Sequence, residues 1–198
     1  MCAMDNQSLY FFAILPPDEL AEKLDAIRVE VSEKYLCYAA LKPPVHITLY
    51  PPFKDVNIEK RFSLMSSWIQ RQPIFDIQLK DFNFFKNREH PVVYADVVKN
   101  LQLQQLQAGL KRYLRRFVPT TKESYSFKPH ITLGYRDIKP EVFPDIIRDF
   151  SKRTFEASFT ADTVYLLKHD GKKWNILFGF KMGTAATAQN YTQGSLFD

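Results

Sequence analysis

The 198-residue sequence predicts an α+β fold built from two similar halves. Three observations lead there. The tetrapeptide His-Ile-Thr-Leu occurs twice, at His46-Ile47-Thr48-Leu49 and at His130-Ile131-Thr132-Leu133, 84 residues apart. Apolar residues alternate with period 2 in some segments and recur at helical spacing in others. The resulting order is βαβαββαβαββ, with one HITL segment in each half. A content of 45% hydrophobic and 15% aromatic residues is that of a globular chain, long enough to bury one core.

The elements follow from local chemistry. Leu9 to Leu15 reads as a strand stopped by Pro16-Pro17. Asp18 then supplies a helix N-cap region, ahead of Leu20, Leu24, Ile27 and Val31 at helical spacing. Pro43-Pro44 lead into the first HITL strand, and Pro51-Pro52 are expected to end it, because strand interiors exclude proline. Asn57 is expected to cap a second helix carrying Ile58, Phe62, Met65 and Ile69. Phe75, Ile77 and Leu79 alternate with polar residues as a half-buried strand, and Pro91 to Val98 form the next one after Asn87-Arg88-Glu89-His90. Leu103, Leu106, Leu110 and Leu114 share one face of a helix spanning Leu101 to Phe117. The second HITL strand is expected from about Lys128 to Tyr135, followed by a helix near Glu141 to Phe150. Phe155 to Leu167 and Trp174 to Phe180 would close a hairpin across Asp170-Gly171. Residues 1–183 read as one domain. The small, polar residues 184–198 read as a disordered tail.

On an extended strand, residues i and i+2 share a face. Ile47 and Leu49 can anchor one HITL strand in a core while His46 and Thr48 face outward. Ile131 and Leu133 do the same for His130 and Thr132. If the two strands are neighbours, one cleft holds two imidazoles and two hydroxyls. An ordinary imidazole titrates near 6.5, so one ring can be neutral and the other protonated near neutral pH. Such a pair suits general acid–base catalysis. The hydroxyls can donate to the non-bridging oxygens of a phosphodiester or cyclic phosphate. No metal is needed, and none is expected. Thr is not a usual zinc ligand, and a site from His46, His130, His90 and Cys2 or Cys37 has no spacing to support it. The sequence has no G-x-S-x-G nucleophile elbow and no Gly-rich nucleotide loop.

Other residues are weaker candidates. Tyr50 lies two positions beyond Thr48, so simple alternation puts its ring on the cleft face, where it could stack on a base. Phe53 is a possible substrate contact, or else a lid or core residue. Lys128 and Arg136 share the parity of His130, Lys128 as a possible phosphate contact and Arg136 as a solvated strand end. Lys111, Arg112, Arg115 and Arg116 either touch an RNA backbone or complement a helix dipole. His90, His169 and Trp174 carry no distinctive signal.

Paired H-x-T segments on strands resemble the signature of the two-histidine (2H) phosphoesterase superfamily, in its bacterial 2′–5′ RNA ligase-like, RNA 2′,3′-cyclic phosphodiesterase branch. Leu9 to Leu20 is similar to that branch's opening strand and helix, Pro44 to Phe53 to its first motif and Phe127 to Leu133 to its second. Val164 to Gly171 with Trp174 is similar to its final hairpin. The resemblance implies two pseudo-symmetric lobes of antiparallel sheet with helices outside and the cleft between them. It implies His46 and His130 as acid and base, and Thr48 and Thr132 as phosphate ligands. The implied substrate is a 2′,3′-cyclic phosphate or 2′–5′-linked nucleotide or RNA. Assigning His130 as base and His46 as acid is one option, and the near-symmetry leaves the reverse open. A non-catalytic nucleotide- or RNA-binding module and an RNA ligase are the alternatives. Tyr50-Pro51-Pro52-Phe53 departs from the Phe-x-Gly turn usual in the RNA cyclic phosphodiesterases, which leaves the RNA substrate open.

Bulk properties bound the rest. A net charge of +5 and a pI near 9.1 suit an anionic substrate. Two cysteines, Cys2 and Cys37, make no disulfide framework. The longest apolar run, Tyr10 to Leu15, is far short of a membrane span and lacks the basic flank of a secretory signal. A cytoplasmic monomer without cofactor or membrane association is expected.

Overall fold

A computed structural model describes residues 8–87, 89–118 and 126–183. The sequence order of elements is β1 (Ser8–Ile14), α1 (Asp18–Tyr35), β2 (Ile47–Asp55), α2 (Phe62–Ile69), β3 (Phe75–Phe85) and β4 (Val92–Val97). Next come α3 (Leu101–Leu114), β5 (His130–Tyr135), α4 (Phe143–Phe150), β6 (Glu156–Ala161), β7 (Thr163–His169) and β8 (Trp174–Lys181). All eight strands join one sheet in the order β6-β3-β4-β5-β2-β1-β7-β8, and every pairing is antiparallel.

That order is symmetric about its centre. Each half runs outward from a motif strand, β5-β4-β3-β6 on one side and β2-β1-β7-β8 on the other. The halves meet at the pair Ile47↔Ile131, the middle of both HITL segments. Antiparallel geometry then sets His46 opposite Thr132 and Thr48 opposite His130. The expected pair of similar halves is therefore realised as one continuous sheet. Helices α1 and α3, each following the strand that pairs with its half's motif strand, lie against β5 and β2 respectively. The main core is sheet against helices, with Phe12, Ile14, Leu24, Ile47, Leu103, Ile131 and Phe150 within it.

Four expectations need correction. First, Pro51-Pro52 do not end β2, which continues to Asp55. Between the pairs Phe12↔Tyr50 and Tyr10↔Phe53, the single residue Phe11 of β1 faces two of β2, Pro51 and Pro52, so both prolines sit exposed in an irregularity of the ladder. A bulge is where a strand accepts a residue with no N–H to donate. Second, Phe155 to Leu167 is two strands, not one. It breaks at Asp162, and β6 pairs with β3 at one edge of the sheet while β7 crosses to β1 and β8. The Asp162 carboxylate accepts bonds from the Thr163 hydroxyl (2.7 Å) and Lys181 (3.0 Å), which fixes the corner. The β7–β8 hairpin does turn at Asp170-Gly171, with Gly171 at φ +100°.

Third, Asn57 leads into a short 3₁₀ turn, Ile58–Arg61, and makes no side-chain cap. Asn100 is the residue that caps, its side chain accepting from the Leu103 N–H at 2.9 Å. Fourth, Asp18 is the first residue of α1 rather than its cap, which is Pro17. Cys37 is a buried free thiol, pushed up to about 11 chiefly by burial, whereas Cys2 and the tail 184–198 lie outside the described residues. No helix among the described residues is long and apolar enough to cross a membrane.

Candidate active site

The cleft face of the sheet is set by β1. Tyr10, Phe12 and Ile14 point into the main core, whereas Phe11 and Ala13 face the other way and pack with Leu167, Leu15, Tyr165 and Trp174. Thr48 pairs with Ala13 and so shares that second face. His46 joins it, its ring 4.9 Å from that of Phe11. Phe11 in turn meets Trp174 edge-on at 4.6 Å.

Alternation does not carry on past the motif. Ala13 pairs with Thr48 and the adjacent Phe12 pairs with Tyr50, so Leu49 is an extra residue. Because Ala13 and Phe12 point to opposite faces, Thr48 and Tyr50 do as well. Tyr50 is only 3% exposed and Phe53 5%, and both are core residues whose rings meet edge-on at 5.5 Å. The expectation that Tyr50 faces the cleft is thus overturned, and Phe53 is not a cleft contact either. The same bulge recurs in the second half: Tyr94 pairs with Thr132 and the adjacent Val93 with Gly134, leaving Leu133 extra. Gly134 is thereby pressed against α1, where a Cβ would lie 3.0 Å from Val31. Arg136, past this bulge, is exposed at φ 71°.

Both histidines are held in the same way. His46 Nδ1 lies 2.7 Å from the Pro44 carbonyl oxygen, and His130 Nδ1 lies 2.8 Å from that of Lys128. A carbonyl oxygen can only accept, so Nδ1 carries the proton in each ring. Nε2 is then the basic nitrogen of the neutral form. The Thr48 hydroxyl sits 3.1 Å from His46 Nε2 and can donate to it. His130 is walled by Phe85 (5.0 Å, perpendicular) and Tyr94 (5.0 Å). The Lys128 ammonium lies over the same two rings, 5.3 and 5.1 Å from their centroids. The Tyr94 hydroxyl is buried and has no partner among the described residues.

Electrostatics favour neutral rings. Burial, with smaller contributions from the charges of Arg28 and His130, pushes His46 down to about 4. Burial also lowers His130. The Lys128 charge adds to that effect, and the Asp96 carboxylate, on the residue paired with His130 across the strands, opposes it.

A pocket of about 190 Å³ opens here, lined by His46, Thr48, Thr132, Tyr135, Trp174 and Arg28 together with Phe11 and the Pro43-Pro44 segment. His130 is beside it on β5 but not in its lining. Arg28 was not found from sequence. It is 2% exposed on the inner face of α1, donates to Asp25 (2.8 Å) and to the Pro43 carbonyl (2.7 Å), and leaves Nε without a partner among the described residues. Leu20, Leu24, Arg28, Val31 and Tyr35 form the buried stripe of α1. A charge in a core position was the signal available, whereas the sequence reading took Ile27 for that row. Trp174 and Phe11 likewise carried no signal as strand aromatics. No group of three or more His, Cys, Asp or Glu among the described residues could hold a metal ion.

A profile of the 2′-5′ RNA ligase superfamily matches residues 16–173. The chain belongs to the 2′-5′ RNA ligase superfamily, the 2H phosphoesterases. Sequence comparison with curated proteins gives no match. Solved structures of the superfamily share the fold. Escherichia coli LigT complexed with 3′-AMP is similar with a TM-score of 0.65 at 24% identity, over 89% of this chain and 98% of that one. TT0787 of Thermus thermophilus gives 0.64 at 19% identity, over 90% and 100%. Kluyveromyces marxianus Usb1 gives 0.53 at 10% identity, over 90% and 100%. The fold of four helices on an antiparallel sheet matches that of LigT.

Proposed function

We propose that the protein is a metal-independent phosphodiesterase that opens a 2′,3′-cyclic phosphate or cleaves a 2′–5′ linkage in a nucleotide or RNA. The observation that carries this reading is the dyad at Ile47↔Ile131, which faces each histidine with the other motif's threonine. Both rings are tied at Nδ1 and keep Nε2 for chemistry. One Nε2 takes a proton from water as its oxygen attacks phosphorus. The bond from phosphorus to a ribose oxygen breaks, and the second Nε2–H protonates that oxygen. Thr48 and Thr132 donate to the non-bridging oxygens, Thr48 turning away from His46 to do so.

Charge distinguishes the two rings. Asp96 is paired with His130, whereas the guanidinium of Arg28 bears on His46. Lys128 opposes Asp96 with the larger effect, but no carboxylate bears on His46 at all. On that contrast we assign the shared proton to His130, making His130 the acid and His46 the base. This reverses the assignment preferred from sequence. The pocket is small beside the roughly 300–1,000 Å³ of typical ligand clefts, which favours one phosphorylated sugar and hydrolysis over two RNA ends and ligation. Expected products on a panel of 2′,3′-cyclic mononucleotides, cyclic-phosphate RNA and 2′–5′ dinucleotides are monophosphates and unextended chains. A lengthened RNA would establish the ligase direction instead, and binding without turnover would establish the binding module.

The pH dependence follows from the lowered imidazoles. The productive form has one ring protonated, so kcat/KM should be bell-shaped with its optimum below about 6.5, the ordinary imidazole value. A bound phosphate favours the imidazolium, so the kcat profile should lie at higher pH than that of kcat/KM. An optimum above pH 8 in both would contradict the assignment. Stability shows the same sign. A histidine depressed on folding contributes fully above pH 6.5 and loses that contribution as pH falls toward about 4 for His46.

Arg28 acts as a positioning residue, bracing Pro43 next to the Pro44 carbonyl that orients His46. Arg28→Met should lower kcat about tenfold, on the order of the ~1.4 kcal/mol of one hydrogen bond to a charged group. It should also move the acidic limb of the profile upward, since removing the guanidinium raises His46. A parallel drop with an unmoved limb would mean a purely structural role.

A further inference from the structure

The outer side of the molecule, away from the cleft, carries a second concavity of about 240 Å³ between α2 and α3. Its lining is Trp68, Arg71, Gly109, Arg112, Tyr113 and Arg116. Trp68 stacks on Tyr113 at 5.3 Å and 22°, and the Arg116 guanidinium lies 5.8 Å over the Tyr113 ring. Gly109 lets the indole approach α3 so closely that a Cβ would be 3.0 Å from Trp68 Cζ2. Arg71, Arg112 and Arg116 are all exposed.

These arginines, like the neighbouring Arg115 and the strand-end Arg136, differ from the four that are neutralised by a carboxylate. Arg28, Arg61, Arg148 and Arg153 are paired with Asp25, Asp55, Asp145 and Glu30. Arg71, Arg112 and Arg116 form no ion pair among the described residues. Nor does the local sequence offer one: of 22 acidic residues, none falls between Lys60 and Phe75 or between Val97 and Val118. The contrast is sharpest between the helices that the two halves place equivalently. Helix α1 carries Asp18, Glu19, Glu22, Asp25, Glu30 and Glu33, whereas α3 carries no carboxylate at all. Complementing the helix dipole explains basic residues in the last turn of α3. It does not explain Arg71 converging from beyond α2, nor the loss of every acid along both helices. Guanidiniums converging without counter-charge repel one another, and a polyanion relieves that. Aromatic faces beside them are the composition of a single-strand nucleic-acid site.

We propose that the α2–α3 face is a second binding site, taking the phosphate backbone of a single-stranded RNA on Arg71, Arg112 and Arg116 against the Trp68–Tyr113 pair. It goes beyond the cleft chemistry and rests on the cleft reading only in naming RNA as the polyanion.

The test is binding of a fluorescent 12-nucleotide RNA, followed by anisotropy against salt, for the full chain and the triple variant Arg71→Gln, Arg112→Gln, Arg116→Gln. Each lost phosphate contact lowers the slope of log K against log salt by about 0.7 for a single strand, so the triple variant should lose about 2. Its affinity should fall at least tenfold, with turnover of a cyclic mononucleotide retained. A Trp174→Phe chain leaves Trp68 as the sole tryptophan, and its emission should be quenched by the RNA. Unchanged slope and affinity in the triple variant would overturn the proposal. So would equal competition by tripolyphosphate, which would make the site one for free phosphates. Absence of turnover in every chain would count against the cleft reading alone, since the binding result is read without catalysis.

Discussion

Replacing His46 or His130 with alanine should lower turnover by about 10³-fold or more while the protein stays folded, since a positioned acid or base contributes about 10²–10⁴-fold each. Neither ring holds the fold together: each spends one nitrogen on a carbonyl two residues back and leaves the other free of the backbone. The two variants should also differ. A nucleotide ester with a p-nitrophenolate leaving group needs little help from an acid. On that ester His130→Ala should recover much of its lost activity, whereas His46→Ala, lacking the base, should not. Equal defects on both substrates would remove the division of labour. Full activity in either variant would remove the mechanism.

The second large effect concerns the seam between the halves. Ile47 and Ile131 are both fully buried, and theirs is the one register pair joining β2 to β5 among the described residues. Ile131→Ala should cost about 2–5 kcal/mol, from lost transfer energy plus a cavity that rigid neighbours cannot close. That is a large part of the roughly 5–15 kcal/mol by which a domain is stable. Its effect should reach the chemistry even where the variant remains folded. The pair sits between His46 and Thr48 on one strand and between His130 and Thr132 on the other. A misplacement on the order of 1 Å can cost about 10²-fold in rate. Urea denaturation and turnover measured on the same sample check both parts. A loss under about 0.5 kcal/mol would mean that the seam is held elsewhere.

Much of this was readable because the HITL repeat encodes both position and chemistry. Two apolar anchors and two polar groups at period 2 imply a strand with a core face and a cleft face. Its recurrence implies the dyad that the strand order then displays. Helix faces were readable where apolar residues were strictly periodic, as with Leu103, Leu106, Leu110 and Leu114. What failed was counting through irregularities. A bulge at Leu49 reverses the parity of Tyr50, which was therefore placed on the wrong face, and a second irregularity at Pro51-Pro52 restores it before Phe53. Nothing in the residue types marks such a bulge, which is defined by the partner strand. Pro51-Pro52 were read as a terminator for the same reason: a proline is costly only where its missing N–H is wanted. Arg28 was missed because a buried charge is improbable until its partners, Asp25 and the Pro43 carbonyl, are seen to converge on it. The break at Asp162 depended on two strands joining opposite halves of the sheet, a long-range outcome that local alternation does not contain.

The most direct test of the two-histidine reading is turnover of 2′,3′-cyclic mononucleotides and cyclic-phosphate RNA by the purified protein in excess EDTA. The prediction is undiminished opening of the ring to a single monophosphate isomer in the presence of the chelator. No opening of any cyclic phosphate, or opening that EDTA abolishes and a divalent metal restores, would contradict it.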